Sequence, residues 1–236
     1  MKTDGTDPTP WRKAHRRLTI GMALVAVVLF ATTLLLVRRS GTAEWSAVPV
    51  SVSGAGESAA AARCQATTNR LLAAERSMAA IPGSGPWAVP ADIVHPVVVA
   101  ERRGAITSVL LSGAGTKSVC IGNYQGGMRP TAVQALGPGV KLSMNDEGAY
   151  STNAPGQIRS LRSVDGQVAP TVSEVRIRTD DGRSLQASIG SAFFLAWWPS
   201  SSRAASVTAY DAHGTVLSTC RPTDQSRSPE YRCQTP

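Results

Sequence analysis

The chain is poor in large and reactive side chains. Among 236 residues there are five Trp, four Tyr, three Phe and three His. A core built from such a chain must rely on Val, Leu, Ile and Ala, and each buried aromatic then carries much of the packing, at roughly 150–250 Å² apiece. Several catalytic signatures are missing outright. No G-x-S-x-G elbow exposes a serine nucleophile, and neither a P-loop nor a G-x-G-x-x-G turn is present. No cysteine pair has C-x₂-C spacing, and Asp146-Glu147-Gly148 lacks the alternating acids of a calcium loop. His95 precedes a proline and His213 a glycine, which places one in extended chain and the other in a turn. No catalytic or metal residue is assigned, and no cofactor is expected.

Against this stands one long apolar run, Leu18 to Val37, with no charge in twenty residues. As a helix it covers about 30 Å, the thickness of bilayer hydrocarbon, so it predicts a single transmembrane span. Lys2, Arg12, Lys13, Arg16 and Arg17 precede it, and Arg38-Arg39 follow it. The excess of cations before the span predicts a cytoplasmic N-terminus in the plasma membrane and an extracytoplasmic C-terminal part. A cleaved signal peptide ending near Gly41-Thr42-Ala43 is the competing reading. The lipid bilayer is therefore one expected partner, through residues 18–37.

Four cysteines, Cys64, Cys120, Cys220 and Cys233, all follow the span, and an even number outside the cytoplasm predicts two disulfides. Three pairings are possible. The favoured one closes Cys220–Cys233 within the polar tail CRPTDQSRSPEYRC and leaves Cys64–Cys120 to tie a helix to the β portion. The net charge of +8 is spread, with Arg159, Arg162, Arg176, Arg178, Arg203, Arg227 and Arg232 in no long run. That predicts a solvated surface, and no nucleic-acid motif accompanies it.

The layout reads as a cytoplasmic tail (1–17), the span (18–37), a flexible Gly/Ser/Pro linker (38–56) containing Trp45, and an extracytoplasmic domain (57–236). Trp45 could rest at the headgroup level. Residues 57–80 are rich in Ala, Leu, Arg and Glu and predict a helix, with Cys64, Leu71, Leu72 and Met78 as its apolar stripe. Val97–Ala100, Ala105–Leu111 and Lys117–Ile121 predict a meander, whereas 137–157 reads as a Gly/Pro/Asn-rich loop. Glu174-Val-Arg-Ile-Arg-Thr179 alternates apolar and polar residues, Asp181-Gly182 predicts a type I′ turn, and a return strand follows over 185–189. With 193–198, 206–210 and 215–219 these segments predict a mainly β domain, an antiparallel sandwich or small barrel with one N-terminal α-helix packed on it.

The stretch VRIRTDDGRSLQASIGSAFFLAWWPSSSRAASVTAYDAHGTVL, residues 175–217, resembles the tail of single-pass, membrane-anchored extracytoplasmic proteins of high-GC Gram-positive bacteria. That resemblance covers about a fifth of the chain and implies no activity. The overall layout also resembles the outer part of membrane-bound anti-sigma factors. A 17-residue cytoplasmic tail without a zinc motif, however, is too short for their sigma-binding domain.

Two function classes follow. The favoured one is a non-catalytic, membrane-anchored binding or scaffolding module with an envelope protein or cell-wall partner. The other is an envelope hydrolase whose site is assembled from distant residues. Four of the twelve aromatics lie in Phe193-Phe-Leu-Ala-Trp-Trp198. Phe194, Trp197 and Trp198 are accordingly the candidate ligand-binding residues, if one face of that strand is open. Both of its faces are apolar, and burial on both sides competes with that reading.

Overall fold

Among the described residues after position 44, alternation and turn chemistry give short strands and one helix. The structure is a computed structural model and describes residues 45–80, 94–122, 130–133, 135–151, 158–223 and 231–236. The apolar run 18–37 and the tail before it lie outside the described residues. Among the described residues no helix is long and apolar enough to cross a membrane.

The chain begins with β1 (Val50–Ser51), α1 (Ala55–Ala79), β2 (Val97–Arg103), β3 (Ile106–Gly113), β4 (Thr116–Ile121) and β5 (Thr131–Ala132). Next come β6 (Leu142–Ser151), β7 (Ser160–Val168), β8 (Glu174–Thr179), β9 (Ser184–Gln186) and β10 (Ser188–Gly190). The last elements are β11 (Phe193–Trp198), β12 (Ala204–Tyr210), β13 (Val216–Pro222) and β14 (Tyr231–Gln234). They form three antiparallel sheets, ordered β1-β2-β3-β4-β5, β10-β11-β7-β6 and β14-β13-β12-β8-β9.

Three buried clusters set the stacking. Ala60 and Cys64 of α1 meet Val109, Leu111 and Cys120 of the first sheet. The opposite face of that sheet, with Val99, Leu110, Val119 and Ile121, meets Leu161, Leu195 and Trp197 of the middle sheet. The middle sheet's other face, with Leu142, Val164, Phe194, Ala196 and Trp198, packs on Val175, Ile177, Val207 and Ala209 of the third. The order is helix, sheet, sheet, sheet. The domain is mainly β and antiparallel with one helix on it, as expected, but it has three sheet layers instead of the two of a sandwich. The middle sheet is apolar on both faces because it is covered on both.

Several sequence expectations change in detail. The two longest strands, β6 and β7, run where a loop was expected for 137–157 and where nothing was assigned beyond it. Their Asn, Asp and Gly content conceals them, since those residues are depleted in strands. The return strand 185–189 breaks at Ala187. β9 stays beside β8 in the third sheet, whereas β10 joins β11 in the middle one. In the β8–β9 turn only Gly182 has positive φ, at 83°, so the turn is not type I′. The helix buries Ala60, Cys64, Thr68 and Leu72, four residues apart, while Leu71 and Met78 are 39% and 58% exposed. The disulfide at Cys64 turns that stripe toward the sheet.

The segment read as a flexible linker is held from Trp45 onward. Trp45 and Ala47 pack against the core, and β1 pairs with β2. Arg103 uses all its donor groups here. It forms a bidentate pair with Glu101 at 2.9 and 3.1 Å and donates to the carbonyls of Ser46, Ala47 and Gln186. Trp45, expected in a flexible linker, is thus partly buried and packed against the core.

Candidate functional site

The aromatic strand β11 is held by β7 on one edge and β10 on the other. Its alternation sends Phe194, Ala196 and Trp198 to one face and Leu195 and Trp197 to the opposite one. Phe194, Trp197 and Trp198 are each 0% exposed. None presents a surface to a ligand, so the candidate platform is a packing element. Gly166, opposite Phe194 on β7, makes room for its ring: a Cβ there would sit 2.5 Å from Phe194 Cε1 and 2.0 Å from the Ser143 carbonyl oxygen. The two indoles differ in one respect. Trp198 donates to the Ser202 carbonyl at 2.8 Å, whereas the Trp197 N–H has no partner among the described residues.

Buried charges gather between the layers. Lys117 on β4 donates to Asp165 on β7 at 2.7 Å across the first and middle sheets, with both side chains below 5% exposure. Glu101 also accepts from the Ser188 hydroxyl of β10 at 2.7 Å. Glu147 on β6 reaches toward the third sheet. It accepts from the Tyr231 hydroxyl at 2.5 Å, the Ala204 N–H at 3.2 Å and Arg162 at 3.4 Å. Burial, then the hydrogen bond to Glu147 and its charge, push the Tyr231 phenol well above its usual range. These groups hold layers together, each in a charged or hydrogen-bonded pair.

The histidines form no catalytic constellation among the described residues. His95 is buried, with Nε2 2.8 Å from the Thr116 hydroxyl. His213 sits in an exposed turn capped by Asp211, whose carboxylate accepts the Thr215 and His213 backbone N–H groups. Those two bonds, that to Thr215 first, lower the Asp211 pKa. Among the described residues no group of three or more His, Cys, Asp or Glu is arranged to hold a metal. The cysteines form Cys64–Cys120 and Cys220–Cys233, the favoured pairing.

Two surface depressions are lined by described residues alone. One, of about 340 Å³, lies between α1 and the first sheet and is lined by Arg63, Thr67, Arg70, Thr107 and the Cys64–Cys120 bridge. The other, of about 350 Å³, lies on β13 and β14, lined by Thr219, Arg221, Pro222, Thr223, Arg232 and Gln234.

The second depression belongs to the open face of the third sheet. Cys220 and Cys233 are cross-strand partners turned into the core, so their neighbours Arg221 and Arg232, also partners, point outward. On β8 the buried Val175 and Ile177 leave Arg176 and Arg178 outside, opposite Thr208 and Ser206 of β12. Glu174 holds Arg176 at 2.6 and 3.0 Å, and Arg176 lies 5.0 Å from the Tyr210 ring. Arg178, Arg221 and Arg232 are exposed and meet no carboxylate among the described residues. Of the arginines expected to be scattered, Arg176, Arg178 and Arg232 share this face with Arg221. Two sequence signals could have found them: the V-R-I-R alternation, and the symmetry of Cys-Arg and Arg-Cys about one bridge.

The chain matches no protein-family model, no curated protein and no solved structure.

Proposed function

We propose that the protein is a non-catalytic, membrane-anchored extracytoplasmic module that binds or scaffolds an envelope protein or wall component. One observation carries the reading: two disulfides close a domain whose buried ionisable pairs are engaged in joining its layers. Disulfides persist in oxidising compartments, so they favour the outer side of the membrane. The apolar run 18–37, with more cations before it than after, supports the same topology. Chemistry needs a base beside a nucleophile or an acid poised to give a proton. Lys117, Asp165, Glu101, Arg103 and Glu147 instead have partners that fix them in one role.

Paired fusions to the C-terminus test the topology. Alkaline phosphatase fused to Pro236 should be active in intact cells, and a green fluorescent protein fused at the same place should stay dark. The reverse pattern overturns the assignment. The bridges are checked on denatured, unreduced protein from cells: no cysteine should take up a thiol label, and two or more labelled cysteines would defeat the oxidised-domain argument.

A further inference from the structure

We propose that the open face of the third sheet binds a phosphate-bearing polyanion outside the cell, with Arg178, Arg221 and Arg232 as its contact line. This rests on the reading of an extracytoplasmic binding module and names its ligand class.

The register sets the line. Arg178 is paired with Ser184 on β9 and with Ser206 on β12. Val207 is paired with Cys220, so Ser206 stands one step away beside Arg221, which faces Arg232 on β14. The row across five strands is Ser184, Arg178, Ser206, Arg221, Arg232. Strands lie about 4.8 Å apart, which sets the guanidinium stems roughly 5 and 10 Å from one another.

Nothing in the fold asks for this row. Like charges directly opposite on adjacent strands destabilise a sheet. Yet Arg221 and Arg232 are fixed face to face by the bridge beneath them and by the Tyr231–Glu147 bond one residue away. On the strands of this face Glu174 is the only acid among the described residues, and Arg176 occupies both its oxygens. In the turn beyond, Asp181 is engaged by Arg183, and Asp180 is the remaining acid. Among the described residues of these strands the cations outnumber the acids.

The ligand class follows from the donors and the shape. Arginine forks match phosphate oxygens two at a time. The neighbouring row, Gln186, Arg176, Thr208, Thr219 and Gln234, adds amide and hydroxyl groups, and the depression of about 350 Å³ lies between Arg221 and Arg232. Each exposed cation alone binds an anion weakly, so a useful affinity needs several phosphates on one chain. Single-stranded nucleic acid would need stacking rings, and Tyr210 on this face is covered by Arg176.

The test uses the full chain in zwitterionic nanodiscs, titrated with long-chain inorganic polyphosphate and, separately, orthophosphate at equal phosphate concentration. Polyphosphate should bind with an affinity that falls as salt rises, and orthophosphate should not compete. The triple variant Arg178→Gln, Arg221→Gln, Arg232→Gln should lose affinity by about tenfold or more while its melting temperature stays level or rises. Unchanged affinity in that variant, or an equal loss from Arg63→Gln with Arg70→Gln at the helix groove, overturns the assignment. Nanodiscs carrying phosphatidylglycerol separate the sources: if the anionic bilayer abolishes polyphosphate binding, the face serves lipid headgroups and the polymer is excluded. Failure of binding leaves the fusion topology standing. A reversed topology would instead remove the envelope ligand without changing the titration.

Discussion

The middle sheet and the outer face of the third sheet treat charge in opposite ways. In the middle layer Asp165 and Glu147 lie among apolar side chains, and each meets a partner from a neighbouring sheet, Lys117 or Tyr231. On the outer face Arg221 stands opposite Arg232, and neither meets a carboxylate among the described residues. Where water is excluded an unpaired charge is too costly to keep, and pairing is enforced. Where water is present repulsion is weak, and the chain can hold like charges together. The paired, buried groups are structural, and the exposed arginines are surface chemistry.

Removing single charges tests this contrast. Lys117→Met should cost about 3–5 kcal/mol in chemical denaturation, because the Asp165 carboxylate stays buried without its ammonium. Adding Asp165→Leu should restore much of the loss; a single variant as stable as wild type would show the pair to be dispensable.

Tyr231→Phe should cost about 1–3 kcal/mol by depriving Glu147 of a donor. The same residue sets an alkaline limit. Its phenol titrates higher in the folded than in the unfolded chain, so the native state binds the extra proton. That contribution is complete below about pH 10, the unfolded value, and fades as pH rises further. Denaturation midpoints measured across that range should fall for wild type and less steeply for Tyr231→Phe.

The smallest effect has the opposite sign. Arg221→Gln should stabilise the domain by about 0.2–1 kcal/mol by relieving Arg232. A loss of stability there would mean that the outer arginines, like the inner ones, are structural.

The sequence made some of this legible and concealed the rest for physical reasons. Doubled apolarity in Phe193–Trp198 announced a strand covered on both sides, and alternation marked β8 with its outward arginines. The identity of the covers was not local information. β11 lies between two sheets, built from strands at both ends of the domain. β6 and β7 escaped because Asp165 and Glu147 look like loop residues until their partners, 48 and 84 positions away, are known. Trp45 and Ser46 sit in a segment whose composition is that of a linker, and the partners that tie it down, such as Arg103, 57 positions from Ser46, are remote in sequence. The disulfide pairing was readable because one pair shares a short tail. The arginine row was present as a pattern, but its meaning depended on knowing which strands are neighbours.

The layer order also imposes a schedule on folding. The first sheet is complete by Ala132, yet the strands that cover its inner face, β7 and β11, begin at Ser160 and Phe193. Until they arrive, Val99, Leu110, Val119 and Ile121 have no cover, and closing such distant contacts is slow. Cys64 and Cys120 can meet much earlier, because the helix and strands they join precede the middle sheet. Oxidation of that pair would fasten the helix to one side of a half-built protein and leave its sticky side waiting for the remainder. A chain emerging from its N-terminus therefore has its greatest need of a chaperone, or of fast delivery, in the interval between Ile121 and Trp198.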